Sequence, residues 1–492
     1  MLRFLSIILF FFASTFTLFS QDFHSSLEAA SGQSVVHVGS YDWGACIDRI
    51  TINTGHLVSP QAIAARDFKV NQILYPKKTN VGMEKGFLPV TDAFASDSQG
   101  NRITSPSNFI TLLTDVHPLA ENSNPFVSIS FSSRFKPYYG YKISNKKLGI
   151  SIQNLKGFVN ESAAKFETDE FEYTFPAEQE SKSDQKSQEE KVLLNYASYI
   201  PQAESSEKIP LILWFHGMGE SGSNIYQVLF GTKTTALAEE KIQGSFPNGC
   251  AILAPQCPTG WLETTEKGPG NARVWAPVDK DAPANKVKKP INKLLKKLSL
   301  EKEKPRKDKV QFAAVSYYTE PVKNLLYIYL ENHPQIDRDR IYVGGCSAGG
   351  YMTMNMMIEE PQLFAAAFPI CEYYLDSKIN PSKIEILAKK PLWFTYALND
   401  DSVNPEDNSI PTIVRLNQAN AENVHYSEFR NVVDLSGKYL LNPDAKKDDD
   451  EYGLPYEYPG HWSWIYVLNN DCRDGNLSLF EWLAKQKLNS KN

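Results

Sequence analysis

The sequence predicts an α/β domain, with a mostly parallel sheet and flanking helices, preceded by a small all-β sandwich. Three observations carry that expectation. The chain has 492 residues, more than one ordinary core accommodates. Between about residues 33 and 160 it reads as short runs of β-branched and aromatic residues, several alternating with period two. From about 169 onward the strand-like runs become continuously apolar, and helix-like stretches separate them, the pattern of a sheet covered on both faces.

In the first half the runs are "VVHVG", "RITIN", "DFKVNQIL", "FITLLTDV", "FVSISFS" and "LGISIQNLK", with "SDSQGN" as hairpin-loop material. About seven such strands predict an immunoglobulin-like sandwich over residues 21–168. No catalytic constellation lies there, so this domain either packs and spaces or binds carbohydrate. In the second half, residues 169–492, the strands are "LLNYASYIP", "LILWFHG", "AILAPQ", "RIYVGG", "AAAFPI", "PLWFTYAL" and "VHYSEF". "EPVKNLLYIYLENH" and "GYMTMNMMIEE" are among the helices between them.

Two segments look inserted. Residues 177–191 are polar and of low complexity, the composition of a solvated loop. The other spans 262–312 and is lysine-rich from 285 to 309, yet Ile291, Leu294, Leu295 and Leu298 share one helical face. It is either a surface helix docking that stripe, a cap over a site, or a hook for an anionic polymer.

The first twenty residues, with Arg3 ahead of an apolar run from Leu5 to Phe19, have the layout of a secretory signal peptide. The run is shorter than the ~20 residues a spanning helix needs. A secreted or periplasmic protein without stable membrane insertion is expected. A net charge of -6 argues against nucleic-acid binding. The six cysteines have no zinc-site spacing, so neither metal nor cofactor is expected, and sequence cannot choose a disulfide pairing or an oligomeric state.

The chemistry centres on Gly345-Cys346-Ser347-Ala348-Gly349, a G-x-S-x-G pentapeptide between a predicted strand and a predicted helix. A sharp turn there presents Ser347 Oγ as a nucleophile and aims the Ala348 N–H at a developing oxyanion. The loop after "LILWFHG" offers the second donor, the Met218 N–H. His216 in that loop reads as structural support. Two histidines follow Ser347. His425 lies inside an alternating strand, and His461 lies in the turn "YPGHWSW", so His461 is the expected base. Asp400 comes first off the strand "PLWFTYAL" and is the expected acid, with Asp401 as its competitor. Trp261 and Trp275, in the loop after "APQCP", either wall a substrate pocket or anchor the loop. Cys346 reads as a buried small residue.

Through "PLILWFHGMGESGSN", "AILAPQCP", "IDRDRIYVGGCSAGGYMT", "TYALNDDSVNP" and "GHWSWIYVLNN" the chain resembles secreted bacterial esterases of the α/β-hydrolase fold that carry an N-terminal immunoglobulin-like domain. They are related to polyhydroxybutyrate depolymerases and feruloyl esterases, and are also labelled predicted peptidases of prolyl-oligopeptidase type. The resemblance implies a serine esterase with a Ser-Asp-His triad, a carbohydrate esterase acting on acylated plant polysaccharide. A serine peptidase is the alternative reading, and a non-catalytic binding protein a third.

Overall fold

The computed structural model describes residues 34–74, 83–129, 132–135, 139–155, 160–176, 190–202, 207–263 and 315–488. The expected signal peptide, most of the 177–191 segment and the lysine-rich 285–309 stretch lie outside these residues.

The N-terminal strands are β1 (Val35–Tyr41), β2 (Gly44–Val58), β3 (Lys69–Leu74), β4 (Met83–Phe87), β5 (Val90–Ser96), β6 (Ser107–Thr114), β7 (Phe126–Ile129), β8 (Ser132–Phe135), β9 (Tyr139–Asn145) and β10 (Ile150–Leu155). They pair antiparallel in two four-stranded sheets, ordered β1-β2-β6-β5 and β10-β9-β3-β4, with β7–β8 as a separate hairpin. The turn expected at "SDSQGN" forms after β5. Asp97 Oδ1 accepts from the Gln99 and Asn101 N–H groups there, the local bonding that makes Asp a turn former.

The second half builds one eight-stranded sheet from β11 (Glu167–Thr174), β12 (Lys191–Tyr199), β13 (Ile209–Phe215), β14 (Ala251–Gln256), β15 (Ile336–Cys346), β16 (Ala366–Ile370), β17 (Leu392–Ala397) and β18 (Val424–Phe429). The order is β11-β12-β14-β13-β15-β16-β17-β18. β12 runs antiparallel to both neighbours, and the pairs from β14 through β18 are parallel. All seven strand runs expected here appear. β11 is an eighth, and it spans the expected domain junction.

Every residue of β13, β14, β16 and β17 is buried. Alternation divides them between two cores. Leu211, Leu213 and Phe215 of β13 face one, while Ile212 and Trp214 face the other. The second core is continuous with the interior of the N-terminal sheets, where Ile50, Ile52, Ile110 and Ile143 belong to the same cluster. The two halves therefore share apolar packing. Each fully buried large side chain contributes roughly 1.5–3 kcal/mol from area removed from water.

Helix Ala348–Glu359 follows β15 directly and is buried from Ala348 to Ile358. Its sequence, apolar on all sides, suits a helix enclosed by the sheet and its neighbours.

Candidate active site

The chain reverses sharply between β15 and the helix Ala348–Glu359, and Ser347 sits on that corner at φ 58°, ψ -118°. A non-glycine residue there is strained, and such strain persists only where the surroundings over-determine it. Two glycines make the corner possible. A Cβ on Gly349 would lie 2.1 Å from the Phe215 carbonyl oxygen, and one on Gly345 would lie 2.4 Å from the same atom. The elbow thus presses directly on the end of β13.

Ser347 Oγ is 2.9 Å from His461 Nε2, and His461 Nδ1 is 2.8 Å from Asp400 Oδ2. A carboxylate only accepts, so Nδ1 carries the proton and Nε2 is left to accept from the serine hydroxyl. Asp400 Oδ1 accepts from the Ser402 and Val403 N–H groups at 2.8 Å each. These bonds fix the carboxylate, whose side chain is 1% exposed. Asp401 is exposed. His425 stacks on Trp393 at 5.0 Å and meets Asp474 at 2.6 Å on the last strand, away from Ser347. The structure brings Ser347, Asp400 and His461 together from the ends of β15 and β17 and from the Gly460–Trp462 turn.

His216 is wholly buried. Its Nδ1 donates to Gly217 O at 2.6 Å, and its Nε2 accepts from the Cys257 N–H at 2.9 Å. Burial lowers its pKa to about 4, so the ring is neutral and bolts the 217–220 loop to the end of β14. Met218 and Ala348 line the same cavity as Ser347 and His461.

Trp261 occupies the second of its two expected places. It is fully buried, donates Nε1–H to His216 O at 3.0 Å, and packs edge-on against Phe215 and Tyr318. It anchors the loop, and its neighbour Leu262 lines the cavity instead. That corrects the pocket expectation for Trp261: its indole lies behind the wall because its N–H has a carbonyl partner there. Trp275 lies outside the described residues. All six cysteines are free and buried. Burial pushes the Cys346 thiol well above its ordinary range, leaving it an inert packing group.

The cavity measures about 640 Å³, within the range of small-molecule sites. Its aromatic lining comes from Trp43, Tyr373, Trp462 and Trp464. Trp462 and Trp464 follow His461 closely in sequence, but the sequence reading named neither as a pocket residue. Trp43 comes from the β1–β2 turn of the N-terminal sheets, and nothing in "YDWGAC" marks it for a site some three hundred residues away. Glu220 also lines the cavity and is buried. Burial raises its pKa from 4.5 to about 7, against the pull of the Glu220 and Gly217 N–H groups. Among the described residues no His/Cys/Asp/Glu group could hold a metal ion.

Comparison with solved structures gives the fold. A thermostable esterase superposes with TM-score 0.59 over 92% of this chain and 99% of its own, at 20% identity. The fold is that of an α/β-hydrolase with a mixed sheet. A Pyrococcus horikoshii acylaminoacyl peptidase (TM-score 0.33, 14% identity, 60% of this chain and 41% of that one) and a ferulic acid esterase (0.32, 12%, 53% and 90%) overlap too loosely to bear on function. A model of the prolyl oligopeptidase family matches residues 325–374, the stretch that contains the elbow. Among curated proteins no sequence match is found. Fold and family match together support a hydrolase of the esterase and prolyl-oligopeptidase kind.

Proposed function

We propose that this chain is a secreted serine esterase that cleaves carboxylic esters through an acyl-enzyme, with acylated polysaccharide as its substrate class. The observation that carries the reading is the hydrogen-bonded line Ser347–His461–Asp400 opening into a cavity of about 640 Å³. A serine hydroxyl is a weak nucleophile until a base takes its proton. His461 Nε2 is placed to take it, and Asp400 holds the imidazole tautomer and stabilises the imidazolium. Ser347 Oγ then attacks the acyl carbonyl carbon. The Ala348 and Met218 N–H groups receive the tetrahedral oxyanion, each donor worth roughly 3–4 kcal/mol of transition-state stabilisation. His461 returns the proton to the leaving alcohol, and water repeats the cycle on the acyl-enzyme.

Secretion rests on the layout of residues 1–20, and an immunoglobulin-like reading of the N-terminal domain rests on its two antiparallel sheets. The family match over 325–374 favours a second reading, a serine peptidase, because the same three residues cleave amides. Matched p-nitrophenyl esters and peptide p-nitroanilides separate the two. Ester turnover that vanishes in Ser347→Ala, with little anilide turnover, is the expected result. Anilide turnover at comparable efficiency would make the chain a peptidase.

A further inference from the structure

The cavity that holds Ser347 and His461 is not built by the catalytic domain alone: Asp42, Trp43, Gly44 and Asn124 of the N-terminal domain also line it. The first three form the tip of the β1–β2 hairpin, where Tyr41 pairs with Gly44 and Gly44 adopts φ 106°. This tip is pinned to the catalytic domain. Asp42 Oδ1 is 2.9 Å from Lys233 Nζ, and both Asp42 oxygens accept from Asn469 Nδ2 at 3.1 and 3.0 Å. Lys233 also donates to Asn469 Oδ1 at 2.8 Å, closing a three-residue knot across the domain junction.

With its backbone so held, the Trp43 ring is fixed from two sides. It stacks on Tyr41 of its own hairpin, centroids 5.0 Å apart, and Tyr439 of the catalytic domain meets it edge-on at 4.8 Å. The indole remains only partly buried and shares the cavity with Tyr373, Trp462 and Trp464. Tyr41 covers one face of the ring, and the part of the indole left open is an apolar section of the cavity wall, a surface against which a ring can pack. An acetyl group needs far less room than about 640 Å³.

We propose that Trp43 is a specificity-determining residue: an aromatic wall, supplied by the first N-terminal hairpin, against which a ring carried by the ester substrate packs beside Ser347. The proposal rests on the esterase reading above. It gives the N-terminal domain a direct part in substrate choice, beyond packing or spacing. The ring belongs either to an aromatic acyl group or to the sugar that bears the ester, and both present an apolar surface to an indole.

Three esters distinguish these cases by proton release with the intact protein: methyl acetate, which has no ring, methyl 4-hydroxycinnamate, with the ring on the acyl side, and an acetylated xylobiose, with rings on the alcohol side. Trp43→Ala is expected to lower kcat/KM about tenfold on the ring-bearing ester the wild type prefers, mainly through KM, and to change methyl acetate less than twofold. Trp43→Phe should restore most of the loss. The ester affected names the source of the ring. An equal fall on all three esters, or none on any, overturns the proposal. Fluorophosphonate labelling of Ser347 checks that the site is assembled. If Trp43→Ala does not label, Trp43→Phe against Trp43→Leu carries the same comparison: Leu as good as Phe on ring esters rejects the aromatic wall. A wild type that labels but turns over no ester defeats the esterase reading itself, and this inference with it.

Discussion

Lys233 and Asp42 form an ion pair at 2.9 Å that ties the first N-terminal hairpin to the half of the chain that holds Ser347. Lys233 is 24% exposed and Asp42 11% by side chain, so water screens the pair only in part. Lys233 itself adopts a left-handed φ of 59°, which aims its side chain across the junction from the residue after Thr232 on the cavity wall. The pair therefore joins fold stability to the shape of the site.

Breaking that pair should cost stability, because either partner alone is left as a poorly solvated charge. Lys233→Ala and Asp42→Ala are each expected to lose about 1–2 kcal/mol in denaturant unfolding, and the double variant less than their sum. Strict additivity in that cycle would mean the two residues do not interact in solution.

Asp400→Asn should keep the geometry and remove the acceptor that holds the His461 tautomer. kcat is expected to fall about 10⁴-fold with KM little changed. Steady-state kinetics on p-nitrophenyl acetate checks this, and a loss below tenfold would assign Asp400 a structural role only.

Gly349→Ala puts a methyl group 2.1 Å from the Phe215 carbonyl oxygen, an atom of the sheet backbone that cannot step aside. Overpacking of this kind costs about 1–3 kcal/mol, and here it also displaces Ser347. The variant should unfold at lower denaturant and label with fluorophosphonate far more slowly than wild type. Wild-type labelling would show that the elbow relaxes without moving the nucleophile.

Glu220 should make stability fall as pH rises across the neutral range. Its folded pKa is raised from 4.5 to about 7 by burial, so the folded chain keeps a proton that the unfolded chain has already released. The resulting penalty grows from about pH 4.5 to about pH 7 and is constant above, to a total of order 3 kcal/mol. Glu220→Gln removes a titrating group from the same place. Unfolding free energies between pH 5 and 8 should slope downward more steeply in wild type than in the variant, and parallel curves would refute the shift.

The strands legible in sequence were those whose faces are both covered or strictly alternate. β13, β14, β16 and β17 are buried throughout, so their apolar runs stand out. β11, with sequence ETDEFEYT, was missed because it is an edge strand whose residues are exposed or half-buried. Its membership of the sheet is decided by pairing with β12, not by its own composition. β4, β5, β8 and β9 were missed as well, and β9 takes its place through backbone pairing with β3 and β10.

Ser347, Asp400 and His461 could be read from sequence because each follows a local rule: a nucleophile between glycines after a strand, an acid at a strand end, a histidine in a turn. Backbone geometry imposes those rules over a few residues, so they leave a local trace. Whether Trp261 faced the substrate or the loop was settled only by its N–H reaching His216 O. The place of Trp43 was likewise set by the Asp42–Lys233–Asn469 knot between distant segments. Contacts of that kind depend on how the two halves of the chain pack, which depends on surface shape and charge in three dimensions. The sequence determined which residues meet at Ser347, and the tertiary structure decided what surrounds them.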